Sequence, residues 1–361
     1  MQVKRALLKF SVLLLSAVLL AFLLPENDRL IAFYGHWFYE PFQSLRGVLL
    51  GYIQLSVGDV IYVAGGAGIL YTLARLVRNI LNFRTEKVRH LLSLLNALNV
   101  VVFVYVFFIL GWGANYYKST LRATWQLKEY NDTLQLNEFD SILVMRLNQL
   151  SVKYKPLSLE QINTISRANY LMYTDAKVQG RGLEIKPTLF AFFMKRLSID
   201  GYYNPFTGEG QVVKDIPGFM LPFVVSHEMA HQAGIAAEGD ANLMAYALGE
   251  LSHNVSFNYS ADLNIWMYVN ARLFRRDSMM AKKWEAQLNK LTQAHIDTLD
   301  EIRKLSDNDA SKISGEMYDS YLKMQQQKDG IRSYGSVTVN AWLLEKKWQR
   351  EGQKGIKLKM P

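Results

Sequence analysis

The sequence predicts a mainly helical protein, with three N-terminal transmembrane helices followed by a helical domain that contains a small β element. Three observations carry this. Apolar runs long enough to cross a bilayer occupy about residues 7–24, 57–77 and 91–113. After Tyr117 the chain turns to mixed polar and apolar residues at helical spacing. A turn-rich stretch from Gly201 to Val213 interrupts that spacing, and Gly210 to Val213 reads as a short strand.

The elements follow in order. The first run, Leu7 to Leu24, is broken only by Lys9, which can snorkel. It ends in Leu23-Leu24-Pro25-Glu26 with no small-x-small cleavage site, so it reads as an uncleaved anchor rather than a signal peptide. The second run has Asp59 at one end and Arg75 and Arg78 at the other; Gly65, Gly66 and Gly68 suit close packing between membrane helices. The third run is uncharged from Leu91 to Tyr117. These runs make residues 1–117 a membrane region and 118–361 a separate domain. Within that domain, helices are expected near Asn137 to Lys153, Leu159 to Lys177, Ser260 to Arg303 and Ser311 to Gln349.

Basic residues set an expected orientation. Lys4, Arg5 and Lys9 open the first span, and Arg75, Arg78, Arg84, Lys87 and Arg89 gather between the second and third. The positive-inside rule puts these segments in the cytoplasm. Residues 118–361 then lie outside it, in the periplasm if the membrane is a Gram-negative inner membrane. The net charge of +9 suits a neighbour of anionic lipid. No basic patch interleaved with aromatics is present, which argues against nucleic acid as a partner. Cysteine is absent, which removes disulfides, thiolate zinc ligands and cysteine nucleophiles together.

One short motif carries chemistry. Ser226-His-Glu-Met-Ala-His231 contains H-E-x-x-H. Histidines four apart on a helix share one face, so His227 and His231 can both reach one zinc ion. Glu228 lies beside that face as general base on the attacking water. Apolar flanks, Phe223, Val224, Val225, Met229 and Ala230, indicate a buried helix, and Gly234 offers its stop. A third ligand is expected from Glu238-Gly-Asp-Ala-Asn242. Glu238 is the favoured ligand because Asn242, one helical turn on, can hold a ligating histidine. Asp240 is the alternative ligand, or an acid favoured by a helix N-terminus. The arrangement resembles the E-x-x-A-D pattern of gluzincin peptidases, with Asn in place of the final Asp. Position 237, where a histidine ligand of the metzincin type would fall, is Ala237. His253 and His295 read as surface or core histidines.

Several stretches together resemble the bacterial membrane family known as domain of unknown function 3810. They are Ser56-Val-Gly-Asp59, Trp112-Gly-Ala-Asn-Tyr-Tyr117, Tyr203-Asn-Pro-Phe-Thr-Gly-Glu209, Leu221-Pro-Phe223, and His227 to Gln232 with Gly234, Glu238, Asp240, Ala241 and Asn242. The resemblance implies a zinc peptidase with N-terminal membrane spans and implies no particular substrate. Between the two acids the family carries an acidic or variable residue; here it is Gly239. Phe206, Thr207, Gly208 and Glu209 are read in two ways: as part of an edge strand that binds substrate by strand addition, or as a structural turn. Arg332 and Tyr334 are candidate donors to a developing oxyanion.

The resulting expectation is a zincin-like, membrane-anchored metallopeptidase that hydrolyses peptide or protein substrates in the cell envelope with Zn2+ as cofactor. Two other classes stay open: a catalytically silent zinc-bearing scaffold or sensor, and a zinc hydrolase of a non-peptide amide. Oligomeric state is not read from the sequence.

Overall fold

The structure is a computed structural model that describes residues 1–25, 27–81, 87–128, 132–178, 180–306, 312–313, 315–316, 319–320, 334–352 and 357–361. The first apolar run forms α1 (Gln2–Leu23), which stops just before Pro25; proline brings no N–H to continue a helix. Asn27 starts the next helix, accepting a hydrogen bond from the Leu30 amide at 2.9 Å. This helix runs as α2 (Asp28–Phe33), a π-helical stretch (Tyr34–Tyr39) and α3 (Glu40–Leu50). No element is expected from the sequence over residues 28–50, so this helix is a finding of the structure. The second and third runs form α4 (Val57–Leu81) and α5 (Lys87–Gly111). Among the described residues, α1, α4 and α5 are the three helices long and apolar enough to cross a membrane.

A turn at Gly113–Tyr117 leads to α6 (Leu121–Thr124), α7 (Asp132–Ser151) and α8 (Leu159–Tyr173). Helix α8 opens with a reciprocal cap between Ser158 and Gln161. Then come β1 (Ile185–Pro187), α9 (Ala191–Arg196), β2 (Gly201–Asn204) and β3 (Glu209–Val212). Two helices, α10 (Leu221–Gln232) and α11 (Glu238–Leu251), follow the sheet, and α12 (Val255–Arg276), α13 (Ser278–Glu285), α14 (Lys290–Ser306) and α15 (Tyr334–Glu351) come after them among the described residues. The stretch expected to be helical over 260–303 is divided among three helices: Asp277 caps a new one by accepting from Met280, and Asn289 does the same for Thr292. Much of the helix expected from Ser311 lies outside the described residues, and so does Arg332.

The sheet has the order β1-β3-β2, with β1 parallel and β2 antiparallel to β3. This corrects the edge-strand reading of Phe206 to Val213. Strand β3 is the middle strand, so both its flanks are already paired and no backbone is left there for strand addition. Periodicity marks a strand but not its neighbours, which are chosen by non-local pairing.

The domain-side ends of α1, α4 and α5 are built into the domain. Leu24, Ile31, Tyr34, Tyr39, Ile109, Trp112, Ala114 and Ala236 form one buried cluster. At the start of α4, Asp59 accepts from the Leu189 amide at 2.7 Å, from Thr188 Oγ1 at 3.1 Å and from the Tyr202 hydroxyl. The Glu209 carboxylate accepts from the Val57 and Gly58 amides and pairs with Lys186. It thereby satisfies N–H groups that the first turn of α4 leaves free, at the positive end of that helix.

Candidate metal centre

Helix α10 begins with Pro222 in its first turn, a position that needs no N–H partner. It ends at Gln232, and Gly234 turns the chain away with a φ of +90°, in the left-handed region. A Cβ there would also meet Lys118 Nζ and Tyr39 Cε1, both at 2.8 Å. The turn closes by a hydrogen bond from the Ile235 amide to the Ala230 carbonyl at 3.0 Å, the pattern that satisfies terminal carbonyls. It also carries the Ile235 carbonyl back to 2.7 Å from His231 Nδ1. A carbonyl can only accept, so Nδ1 of His231 bears a proton and Nε2 is the nitrogen turned toward Glu238. His227 is fixed the same way: its Nδ1 donates to Asn242 Oδ1 at 2.9 Å. Both Nε2 atoms face Glu238, at 3.2 Å from Oε2 for His227 and 3.4 Å from Oε1 for His231.

Glu238 sits in the first turn of α11, one turn before Asn242. Burial works against its charge, but the imidazoles of His231 and His227 outweigh that and hold its carboxyl well below the usual range. Burial likewise disfavours charge on His231, and Glu238 overrides it, raising the ring to about 9. The point between these three groups therefore favours positive charge. The candidate ligand atoms of His227, His231 and Glu238 all lie within 4.8 Å of one another. Two imidazole nitrogens and one carboxylate form a donor set found in catalytic zinc sites. Hydrogen bonds to the far nitrogens orient such ligands, and both are present here.

Glu228 supplies no atom to that triad. It is buried beside it, where burial raises its carboxyl to about 7 against the lowering effect of the two histidines. Its Oε2 has no hydrogen-bond partner among the described residues. A Cβ on Gly201 would come within 2.7 Å of Glu228 Oε1, so the glycine at the start of β2 is what admits this carboxylate. A buried carboxylate oxygen left open next to a metal-type triad has the chemistry of a proton acceptor for a bound water.

Asp240 points away from the triad and accepts from the Leu121 amide at 3.0 Å. Burial raises it to about 6. Phe206 stacks on Phe107 of α5 with ring centroids 6.2 Å apart. Thr207 is buried in the turn, its amide donating to Asn204 Oδ1. Gly208, at φ +72°, presents its carbonyl to Gln43 and Gln232. Glu209 anchors α4 as described above. Phe206, Gly208 and Glu209 tie the β2–β3 turn to the N-terminal helices, and none of the four joins the histidine site. Tyr334 opens α15, and its side chain lies outside the described residues. His253 bonds the Tyr173 hydroxyl, and His295 stacks on Phe219, both away from the triad.

Two residues near the site were missed. Tyr268 on α12 has its hydroxyl raised to about 12 by burial and then by the charges of Glu238 and Asp200. Asp200, just before β2, also acts on Glu228. Neither carries a sequence signal, since each is one residue of its type among many.

The fold and site together define a mainly helical protein with an H-E-x-x-H helix, a glutamate-bearing helix after it and apolar helices before it. A family model described as "Protein of unknown function (DUF3810)" matches residues 34–341, and the chain belongs to that family. No curated protein and no solved structure matches it.

Proposed function

We propose that this chain is a membrane-anchored zinc metallopeptidase that hydrolyses peptide bonds in the cell envelope. One observation carries the reading: two histidines, each oriented by a bond at Nδ1 that turns Nε2 inward, converge with Glu238 while Glu228 stands open beside them. His227, His231 and Glu238 would hold the zinc, which when bound supplies a Lewis acid for water and for the scissile carbonyl. Glu228 takes a proton from the attacking water as the C–O bond forms. It delivers that proton to the nitrogen as the C–N bond breaks. Terminal peptides of envelope proteins, compared by mass spectrometry, test this. New termini are expected in cells carrying the wild-type chain and none in cells carrying Glu228→Gln; identical sets would refute the peptidase reading.

The ligand assignment has its own test. Glu238→Ala is expected to lose most bound zinc, because it removes one of three ligands. Asp240→Ala should keep it, since that side chain holds Leu121. Metal analysis of the two purified variants decides, and a metal-free Asp240→Ala beside a loaded Glu238→Ala would reverse the roles.

The orientation proposed is N-terminus in the cytoplasm and domain outside. Lys4, Arg5, Lys9, Arg75 and Arg78 all lie on the stretches away from the domain-side ends of the spans. A periplasm-dependent reporter fused after Tyr117 should be active. Activity from a cytoplasm-dependent reporter at that point would invert the topology.

A further inference from the structure

The helix joining the first two apolar runs has two faces of opposite chemistry. One is polar or aromatic and buried against the domain. Tyr39 donates to the carbonyls of His231 at 3.1 Å and Gln232 at 3.0 Å. Gln43 donates to Gly182 and Gly208, and Arg46 to Pro205 and Gly111. The other face is apolar and bare. Phe33, Trp37, Leu45, Val48, Leu49 and Tyr52 are exposed by 59, 67, 52, 64, 63 and 72 %. From Ala32 to Ile53 every exposed residue except His36 is apolar or aromatic. Water is a poor neighbour for so continuous a face.

Two further facts say what covers it. The helix leaves α1 at one end and enters α4 at the other, so both its ends are tied to apolar helices of membrane-crossing length. Trp37 and Tyr52 are the residue types that settle at headgroup level, with Leu and Val between them suited to the acyl boundary. A short patch at the start of α4 matches: Leu189, whose amide bonds Asp59, is exposed together with Phe192 and Phe193.

We propose that the helix spanning 28–50 lies along the bilayer surface nearest the domain, its bare face in the lipid interface. The occupant is lipid, the headgroup and upper acyl zone of that leaflet. This rests on the reading that α1, α4 and α5 cross the bilayer. It makes the connecting helix a lipid-contacting wall directly behind the metal helix, so that the site is about one helix diameter, 10–12 Å, from lipid.

The chain has no cysteine, so single labels are straightforward. Trp37→Cys, Val48→Cys and Tyr52→Cys report on the bare face. Val63→Cys in α4 and Val101→Cys in α5 report on the spans, and Lys153→Cys reports on water. Each full-length variant, carrying an environment-sensitive fluorophore, is placed in phosphatidylcholine vesicles brominated either near the headgroup or near the acyl terminus. Labels at 37, 48 and 52 should emit to the blue of 153 and lose emission to shallow bromines more than to deep ones. Emission like that of 153, unquenched, would put the face in water and overturn the proposal. A blue shift that neither bromine set quenches would mean a protein covers it, such as a second copy, and would overturn it too. Labels at 63 and 101 separate the two readings. If deep bromines quench them while 37, 48 and 52 stay unquenched, only the interfacial helix fails; if 63 and 101 also stay unquenched, the spanning reading fails with it.

Discussion

Glu228→Gln is expected to keep about one zinc per chain, as a non-ligand should, and to lower peptide hydrolysis by about 10² or more, a usual general-base contribution. The first half follows from geometry. The triad is His227, His231 and Glu238, and Glu228 contributes no atom to it. Glutamine matches glutamate in shape, so Gly201 and the start of β2 can stay in place against it. The second half follows from chemistry. Burial raises Glu228 to about 7, which suits a group that must both accept and return a proton. An amide cannot do so. His227→Ala and His231→Ala should behave differently and lose both metal and turnover, since each removes a ligand. Metal content and initial rates for all three variants, on substrates found by terminal-peptide comparison, read this directly. Full activity in Glu228→Gln beside inactive histidine variants would leave zinc essential and the general base misassigned. If all three variants preserve a cellular phenotype that deletion of the chain abolishes, the scaffold reading takes over.

The sequence showed the parts of the site whose spacing is itself chemical. His227 and His231 are one turn apart, and so are Glu238 and Asn242; each pair is legible because a helix puts such residues on one face. The same rule separates Glu238 from Asp240, which are two apart and therefore cannot both face the histidines. What stayed hidden was set by tertiary pairing. The helix over 28–50 was obscured because its exposed side is as apolar as the spans around it. Its π-helical stretch at Tyr34–Tyr39 also breaks the 3.6-residue period. Glu209 looked like a substrate residue because an exposed turn and a buried anchor have the same composition. Only the structure shows its carboxylate capping α4. Tyr39 and Trp112, which hold the His231 carbonyl from outside α10, lie far from it in sequence.

The later helices also bury a cluster of charged residues around Arg146 that has no signal in the sequence. Arg146→Met is expected to destabilise the domain by about 3–5 kcal/mol, the cost of leaving buried charge without its partner. Arg146 on α7 meets Glu345 of α15 through two parallel bonds, NH1 to Oε1 at 3.0 Å and NH2 to Oε2 at 2.8 Å. It also bonds Glu250 at the end of α11 at 3.1 Å and lies 3.7 Å from Asp262 of α12. Tyr246 donates to Glu345 at 2.8 Å. Burial, then the charge of Glu250, pushes Asp262 well above the carboxylate range. One guanidinium bonds both Glu250 and Glu345, and methionine would leave both buried carboxylates without it. Arg146→Lys should lose less, because it keeps the charge but not the paired geometry toward Glu345. Adding Glu345→Gln to Arg146→Met should recover part of the loss by removing one stranded charge. Denaturant unfolding of the detergent-solubilised chain measures all three, and a shift in Arg146→Met within about 0.5 kcal/mol, the usual range of surface changes, would refute the clamp. The site depends on this clamp, because α11 carries Glu238 and Asn242 at one end and Glu250 at the other. Loosening that end frees the helix that orients a ligand and its partner, so zinc should dissociate more readily from Arg146→Met while Arg146→Met/Glu345→Gln retains more of it.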